Sequence, residues 1–267
     1  MSTKVFASAY ERDSKERVLF PSDKRLRALL FPFSDSTEHV AKAQMLMVKE
    51  LVEFLTEPSD TILDPFAGSG TILVATTTGR KVIMIELEEH FCTMIEQNIV
   101  GIKRTVPNID SLATLIPGDC SKVLPLPPGI VNHIITSPPY ASILKKRVVD
   151  KLSLESGYGS IVQYSQHQDN VGNLSDFIYH QKMEQIYRKC FNSLPSKGTM
   201  TIIIKDRMEQ GKRISLSDRA ERDCIRLGFK LLQRDKWYAP GGAYTRVHQA
   251  QGLETVDEEY LITLVKE

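Results

Sequence analysis

The sequence of 267 residues has few of the features that would assign a protein to a class at once. No apolar run approaches the roughly 18 residues that a membrane-spanning helix needs, and the polar start, Met-Ser-Thr-Lys, has no apolar signal region. The expectation is therefore a cytoplasmic protein without a membrane partner. The net charge of +1 does not by itself indicate a nucleic-acid partner. A local basic face on the surface is, however, enough to bind a nucleic acid.

Paired cysteines are also absent. None of the four cysteines belongs to a C-x-x-C pair, so we expect no zinc or other metal site. Free, buried thiols are the expectation for Cys92, Cys120, Cys190 and Cys224. The composition, with 42% hydrophobic and 25% charged residues, is that of a globular protein, and the length allows one large α/β domain or two small ones.

What the sequence does contain is an alternation of strand-like apolar runs with helical stretches. Residues 39–56 have apolar side chains at helical spacing, with Thr37 as a candidate cap. Further helices are predicted at about 70–78, 88–103, 173–194 and 216–227. Strands are predicted at 61–64, 81–86, 112–116, 131–136, 198–205, 230–237 and 259–265. The alternation predicts an α/β fold with a parallel, doubly wound sheet.

One short motif stands at the end of the strand predicted at 131–136. The chain there runs Thr136-Ser137-Pro138-Pro139-Tyr140. Proline has no N–H to donate, so the strand has to stop and the chain has to turn. Ligands of open α/β sheets bind at this carboxyl edge of the strands. The tyrosine ring, the serine hydroxyl and the carbonyl of Pro138 are suited to a flat, amino-bearing ring such as a nucleobase.

A second motif, Asp64-Pro65-Phe66-Ala67-Gly68-Ser69-Gly70-Thr71, follows the strand at 61–64. Its glycines let the backbone approach a ligand closely, and a helix is expected to begin at Thr71. Leu73 stands where a dinucleotide-binding fingerprint needs a third glycine, and no Gly-Lys-Ser/Thr follows, which excludes a P-loop. The carboxylate of Asp64 suits a cationic amino group better than a pyrophosphate.

Together the two motifs resemble the amino-group (N4-cytosine and N6-adenine) DNA methyltransferases. The resemblance extends over residues 38–265 and is specific at the two motifs. It implies a Rossmann-like methyltransferase fold of seven strands with an antiparallel C-terminal pair, and S-adenosylmethionine as the cofactor. No cysteine follows a proline, as the nucleophile of the C5-cytosine methyltransferases would, so covalent attack on a ring carbon is not expected.

The resemblance also implies which residues hold the cofactor. Glu86, about 16–18 residues past the glycines, would accept the ribose hydroxyls, and Asp119 would accept from the adenine amino group. His39 begins a segment, His-Val-Ala-Lys, that lacks the proline of the family's methionine pocket. The predicted cofactor-binding residues are Asp64, Pro65, Phe66, Gly68, Gly70, Thr71, Glu86, Leu87, Asp119 and His39.

For the target base, the resemblance makes Ser137, Pro138, Pro139 and Tyr140 the catalytic loop. Ser137 Oγ and the Pro138 carbonyl would accept the N–H hydrogens of the amine, and Tyr140 would stack on the flipped base. Serine at the first position of the loop resembles the N4-cytosine subgroup, with N6-adenine as the alternative. An enzyme acting on RNA or protein, and a silent DNA-binding homologue, are the further alternatives.

The predicted organisation is an N-terminal extension at 1–36 and a single methyltransferase domain at 37–267, with 141–172 as a DNA-facing insertion. The loops near 206–215 and 239–252 are the other stretches available to DNA. Candidate DNA-binding residues are Lys145, Lys146, Arg147, Lys212, Arg213 and Arg246. Double-stranded DNA is the expected partner. A separate restriction endonuclease of the same restriction-modification system is a further expectation, while the oligomeric state is left open.

Overall fold

A computed structural model of the chain describes residues 5–33, 43–139, 170–240 and 249–267. Nine strands occur among these residues. They are β1 (Thr61–Asp64), β2 (Lys81–Glu86), β3 (Ala113–Pro117), β4 (His133–Thr136), β5 (Thr199–Ile204), β6 (Arg207–Glu209), β7 (Lys212–Ile214), β8 (Phe229–Tyr238) and β9 (Glu258–Lys266).

The described residues also include six α-helices, two of which precede β1. They are α1 (Lys24–Leu30), α2 (Met45–Leu55), α3 (Glu89–Ile102), α4 (Cys120–Val123), α5 (Asp176–Ser193) and α6 (Leu216–Arg226). Three further segments are 3-10 helices, at Thr71–Thr78, Ile109–Ser111 and Val171–Asn173. In the part of the chain that the structure describes, no helix is both long and apolar enough to cross a membrane.

Seven of the strands form one sheet in the order β3-β2-β1-β4-β5-β9-β8. The first five pair in parallel, and β9 pairs antiparallel with both β5 and β8. The predicted fold class, a doubly wound, mostly parallel sheet with an antiparallel C-terminal pair, is confirmed. Because the strand order reverses between β1 and β4, a crevice opens at their carboxyl ends, where ligands of such sheets bind.

Hydrophobic residues form two cores among the described residues. One contains α2 and the N-terminal residues Phe6, Val18 and Leu30, and the other contains α5 and α6. Val18 also pairs with Trp237 at the edge of β8. Residues 5–33 therefore pack into the same body as the sheet. The predicted division at residue 36 lies outside the described residues and stays a prediction.

Several predicted boundaries differ from the structure. The helix predicted from residue 39 begins at Met45, because Gln44 is extended and its side chain accepts from Met47 N at 2.6 Å. Thr37, the predicted cap, lies outside the described residues. The stretch 70–78 is a 3-10 helix rather than an α-helix, and its threonine hydroxyls donate to carbonyls three residues earlier.

The stretch predicted as a loop at 206–215 is instead a β-hairpin. Strands β6 and β7 pair antiparallel and are joined by Gln210 and Gly211, both of which have positive φ, 51° and 73°. A two-residue connection of this geometry matches the right-handed twist of the paired strands. This hairpin sits directly after β5, close to the carboxyl edge of the sheet.

Candidate active site

The loop after β1 is held in place by hydrogen bonds to its own backbone and to β2. Ala67 N donates to Ile85 O at 3.1 Å, and Gly70 N donates to Ala67 O at 2.8 Å. Asn98 of α3 is fully buried, and its Nδ2 donates to Ser69 O at 2.8 Å. The loop is thus fixed from two sides before any ligand is considered.

A glycine is required at position 70 for a reason of packing that the motif alone does not indicate. Its φ is +75°, and a Cβ at this position would lie 2.9 Å from Ile95 Cγ1 on α3. The missing side chain makes room for the helix, whereas we expected room for a ligand. At Gly68 nothing lies within 4 Å of an added Cβ, so close approach of a ligand stays possible there.

Glu86 ends β2 and clamps this loop. Its Oε2 accepts from Gly68 N at 2.6 Å, and its Oε1 accepts from Glu88 N at 2.9 Å. Burial raises the pKa of Glu86 from its ordinary 4.5 to about 7, against the opposing effect of these two N–H groups. Each carboxylate oxygen has a second lone pair, so ribose hydroxyls can still donate to it.

Asp64 ends β1 and is held differently. Its Oδ1 accepts from Phe66 N at 3.1 Å and from Thr136 Oγ1 at 2.8 Å. Among the described residues, Oδ2 has no hydrogen-bond partner. Burial raises the pKa of Asp64 from 3.8 to about 6. A buried carboxylate with an uncommitted oxygen fits a cationic group such as the ammonium of methionine.

Two cavities open beside this loop. The first is lined by residues at the ends of β1 to β4 and by the segment after 169; its lining includes Pro65, Ile85, Glu86, Leu87, Phe91, Asp119, Pro138, Pro139 and Val171. The second is lined by Ala43, Asp64, Thr71, Ile135, Thr136 and Ile203, among others. Three residues line both cavities: Phe66, Gly68 and Ser137.

The first cavity has a polar rim of its own. Asp119 lies there and caps α4, accepting from Ser121 N at 2.8 Å and from Ser121 Oγ at 2.7 Å. Asn170 donates to Glu88 Oε1 at 2.9 Å and so places Val171 against the cavity. The predicted contact of Asp119 with an adenine stays a prediction.

Several predicted site residues come together in these cavities. Eight of the ten predicted cofactor-binding residues line one or both cavities. Gly70 lies in the loop after β1, and His39 lies outside the described residues. Of the base loop, Ser137, Pro138 and Pro139 line the first cavity, and Tyr140 lies outside the described residues. No site role was predicted for Arg27, Thr136 or Asn98, because their contacts join distant parts of the chain.

Of the six candidate DNA-binding residues, Lys212 and Arg213 lie among the described residues. Lys212 is exposed on β7, but the neighbouring Arg213 donates to Asp206 Oδ2 at 2.9 Å, Glu258 Oε1 at 2.6 Å and Tyr260 Oη at 3.0 Å. These internal partners give Arg213 a role in anchoring the hairpin to β9. Lys145, Lys146, Arg147 and Arg246 lie outside the described residues, as does most of the predicted insertion at 141–172.

Among residues 5–33, 43–139, 170–240 and 249–267, no group of three histidine, cysteine, aspartate or glutamate side chains is arranged to hold a metal ion. The four cysteines are free and buried, as predicted.

Comparison with known proteins finds matches to about a third of the chain or less. A family model for N6/N4 methyltransferases, described as DNA methylase, matches residues 4–97. The methylase YubD of Escherichia coli (strain K12), described as a putative one, is 31% identical over 94 residues, which is 35% of this chain and 41% of that protein. The type II methyltransferase M.BglI of Bacillus subtilis is 38% identical over 63 residues, 23% of this chain and 18% of that protein.

Over residues 4–97 the chain is similar to the N6/N4 DNA methylases. This confirms the resemblance at the first of the two motifs, the loop from Asp64 to Thr71, and with it S-adenosylmethionine as the cofactor of the family. The matched residues include the loop from Asp64 to Thr71 and Glu86 but end before Ser137. The aligned part spans less than half the length of the two curated relatives.

Solved structures agree with the fold. TrmN from Thermus thermophilus superposes with a TM-score of 0.50 at 16% identity, covering 92% of this chain and 53% of that one. The glycopeptide N-methyltransferase MtfA gives a TM-score of 0.51 at 13% identity, covering 85% of this chain and 92% of that one. At such identities the likeness concerns the fold alone.

Proposed function

We propose that this protein is a DNA methyltransferase that transfers a methyl group from S-adenosylmethionine to the exocyclic N4 amine of a flipped-out cytosine. The observation that carries the proposal is the position of Ser137. Ser137 lines both cavities, as do Phe66 and Gly68 of the loop after β1. A base held by Ser137 would therefore lie beside the boundary between the two halves of the cofactor site.

In this proposal the first cavity holds the adenosine part of the cofactor. Glu86 accepts the ribose hydroxyls, Asp119 accepts from the adenine amino group, and Phe66, Ile85 and Leu87 supply apolar contact. The loop that surrounds the site is already fixed by Glu86 and Asn98. Little ordering of the chain is then required on binding, which favours affinity.

The second cavity would hold the methionine part. Asp64 offers its uncommitted oxygen to the ammonium group, and Thr136 fixes the other oxygen. The bound cofactor supplies a methyl group that its own sulfonium charge already activates. The protein therefore contributes position and electrostatics, and no covalent intermediate with a protein residue is needed.

Ser137 and Pro138 would act on the target amine. The lone pair of an exocyclic amine is delocalised into the ring, so the amine is a weak nucleophile. Accepting its two N–H hydrogens at Ser137 Oγ and the Pro138 carbonyl favours a pyramidal nitrogen with an available lone pair. Tyr140 would stack on the flipped base and recover roughly 1–3 kcal/mol of the cost of unstacking.

The biological setting belongs to the same proposal. M.BglI is named a type II methyltransferase, which supports double-stranded DNA as substrate and a restriction-modification system with a separately acting endonuclease. A cytoplasmic location is part of the same proposal. A short recognition site fits the few stretches that are available for reading sequence.

The deciding experiment is nucleoside analysis by mass spectrometry after incubation of the protein and S-adenosylmethionine with unmethylated DNA, RNA and protein pools. We expect N4-methylcytosine in DNA. N6-methyladenine would overturn the choice of base, and methylation confined to RNA or protein would overturn the DNA substrate. Ser137→Ala is the matched control, for which we expect cofactor binding to persist and base methylation to fall sharply.

A further inference from the structure

Arg27 of α1 is a buried cation in the N-terminal segment, which neither motif includes. Only 1% of its surface is exposed. Its Nη2 donates to Asp23 Oδ2 at 3.0 Å and to the carbonyl of Ala43 at 2.9 Å, and its Nη1 donates to Thr71 Oγ1 at 3.3 Å. One guanidinium therefore joins three parts of the chain.

Two of these partners are walls of the second cavity. Thr71 begins the 3-10 helix after the glycine loop, and Ala43 precedes Gln44, the cap of α2. Asp23, the third partner, also accepts from Met45 N at 2.8 Å with the same Oδ2 that binds Arg27. The Arg27 side chain thus connects the walls of this cavity at Ala43 and Thr71, and Asp23 holds Arg27 in place.

Stability alone is a weak explanation for a charge in this position. Burial lowers the pKa of Arg27, which means that the surroundings disfavour its charged form, although Asp23 opposes this effect. Its Nε is buried and has no hydrogen-bond partner among the described residues. Apolar side chains often replace buried ion pairs without loss of stability, so a fork of donors at this point favours a role in fixing geometry.

We propose that Arg27 is a positioning residue that sets the spacing of the two walls around the methionine end of the cofactor. It acts through Thr71 and the Ala43 carbonyl and makes no contact with the base. The inference rests on the proposed function, because it assigns the second cavity to the methionine part. Its consequence is selective: ligands that carry the amino-acid end depend on Arg27, and ligands that lack it do not.

The test is calorimetric titration of the full-length protein with two probes. S-adenosylhomocysteine carries the amino-acid end, and 5′-methylthioadenosine lacks it. For Arg27→Met we expect binding of S-adenosylhomocysteine to weaken about ten-fold, a loss of the order of one buried charge-assisted contact, and binding of methylthioadenosine to change by less than about two-fold. Arg25→Met is the matched control, since Arg25 is exposed on the same helix and should leave both affinities unchanged.

Arg27→Lys keeps the charge but cannot reproduce the planar fork, so an intermediate and still selective loss is expected. This variant carries the test if Arg27→Met fails to fold. Equal weakening of both probes, or undiminished binding of S-adenosylhomocysteine, would overturn the inference while leaving the proposed function intact. Failure of the unsubstituted protein to bind either probe would overturn the proposed function, and this inference with it.

Discussion

Asp64 and Glu86 end neighbouring parallel strands, and both are buried carboxylates with raised pKa values, yet they are held in different ways. Both oxygens of Glu86 accept backbone N–H groups, from Gly68 and Glu88. Asp64 places two donors on one oxygen, and its other oxygen has no partner among the described residues. Glu86 thus uses both oxygens to hold the fold, whereas Asp64 has one oxygen free to accept hydrogen bonds from a ligand.

The difference separates building a site from binding its ligand. Glu86 connects the end of β2 to the loop after β1, so its removal would alter the free protein as well as the complex. Asp64 could lose its charge while keeping the acceptor that Phe66 and Thr136 use. Variants of Glu86 should therefore lower both stability and cofactor affinity, whereas variants of Asp64 should lower affinity alone, and this difference can be measured.

Glu86→Ala should have the largest effect. It leaves the buried N–H of Glu88 and the N–H of Gly68 without acceptors, at a cost of about 1–3 kcal/mol of unfolding free energy for each fully buried group. Affinity for S-adenosylhomocysteine should fall by more than about 100-fold, because the loop and the ribose acceptor are lost together. Denaturant unfolding and calorimetry measure the two quantities. Normal stability with lost affinity would show that Glu86 is not a clamp.

Asp64→Asn should affect binding and spare the fold. The amide oxygen still accepts from Phe66 N and Thr136 Oγ1, and a buried charge disappears, so the unfolding free energy should stay level or rise. Affinity for S-adenosylhomocysteine should fall about ten-fold, while that for methylthioadenosine should hold, since only the former carries the ammonium group. Loss of both affinities to the same extent would contradict the assignment of Asp64 to the methionine end.

The strands that carry these two carboxylates could be predicted to the residue. Thr61–Asp64 and Lys81–Glu86 are short apolar runs that end in an acid, and burial on both faces of a parallel sheet leaves little freedom in where they stop. The hairpin of β6 and β7 was missed, because its turn depends on a positive φ at Gln210, a residue that rarely adopts one. Gln44 as a cap was missed because glutamine is not among the residues that usually begin helices.

The contacts that hold the site together could not be predicted in the same way. Arg27 lies 44 residues from Thr71, and Asn98 lies 29 residues from Ser69. Asn98 lies in a predicted helix and Arg27 in the predicted N-terminal extension, and hydrogen bonds across such separations leave no periodic trace in one sequence. Motifs identified the residues that face the ligand, whereas the residues that hold those in place became visible only in the packed fold.

The pH dependence tests both carboxylates together. Their folded pKa values, about 6 for Asp64 and about 7 for Glu86, exceed the ordinary 3.8 and 4.5. Between those limits the folded state holds more protons, so their contribution to the stability of the free protein declines as pH rises from about 4 to about 7. Cofactor binding needs the ionised forms, so affinity should instead rise several-fold from pH 5.5 to pH 8.

Proton release identifies the cause of this rise. Calorimetry at pH 6.5 in buffers of different ionisation enthalpy should show protons leaving the protein as S-adenosylhomocysteine binds. Asp64→Asn should release fewer. Affinity that is level over the whole range, or proton uptake on binding, would mean that neither carboxylate changes its ionisation in the complex.

Thr136→Val should have the smallest effect, because it removes only the hydroxyl that donates to Asp64 Oδ1. The Thr136 hydroxyl bonds to Oδ1 and lowers the pKa of Asp64, so its loss should raise that pKa further. We expect affinity for S-adenosylhomocysteine to fall about two- to three-fold at pH 6.5 and less at pH 8, where the carboxylate is ionised in either protein. Thr201→Val on β5 removes an equally buried hydroxyl, bonded to Thr263, without touching Asp64, and should leave the affinity unchanged. An equal loss at both pH values would mean that Thr136 shapes the cavity and does not tune its carboxylate.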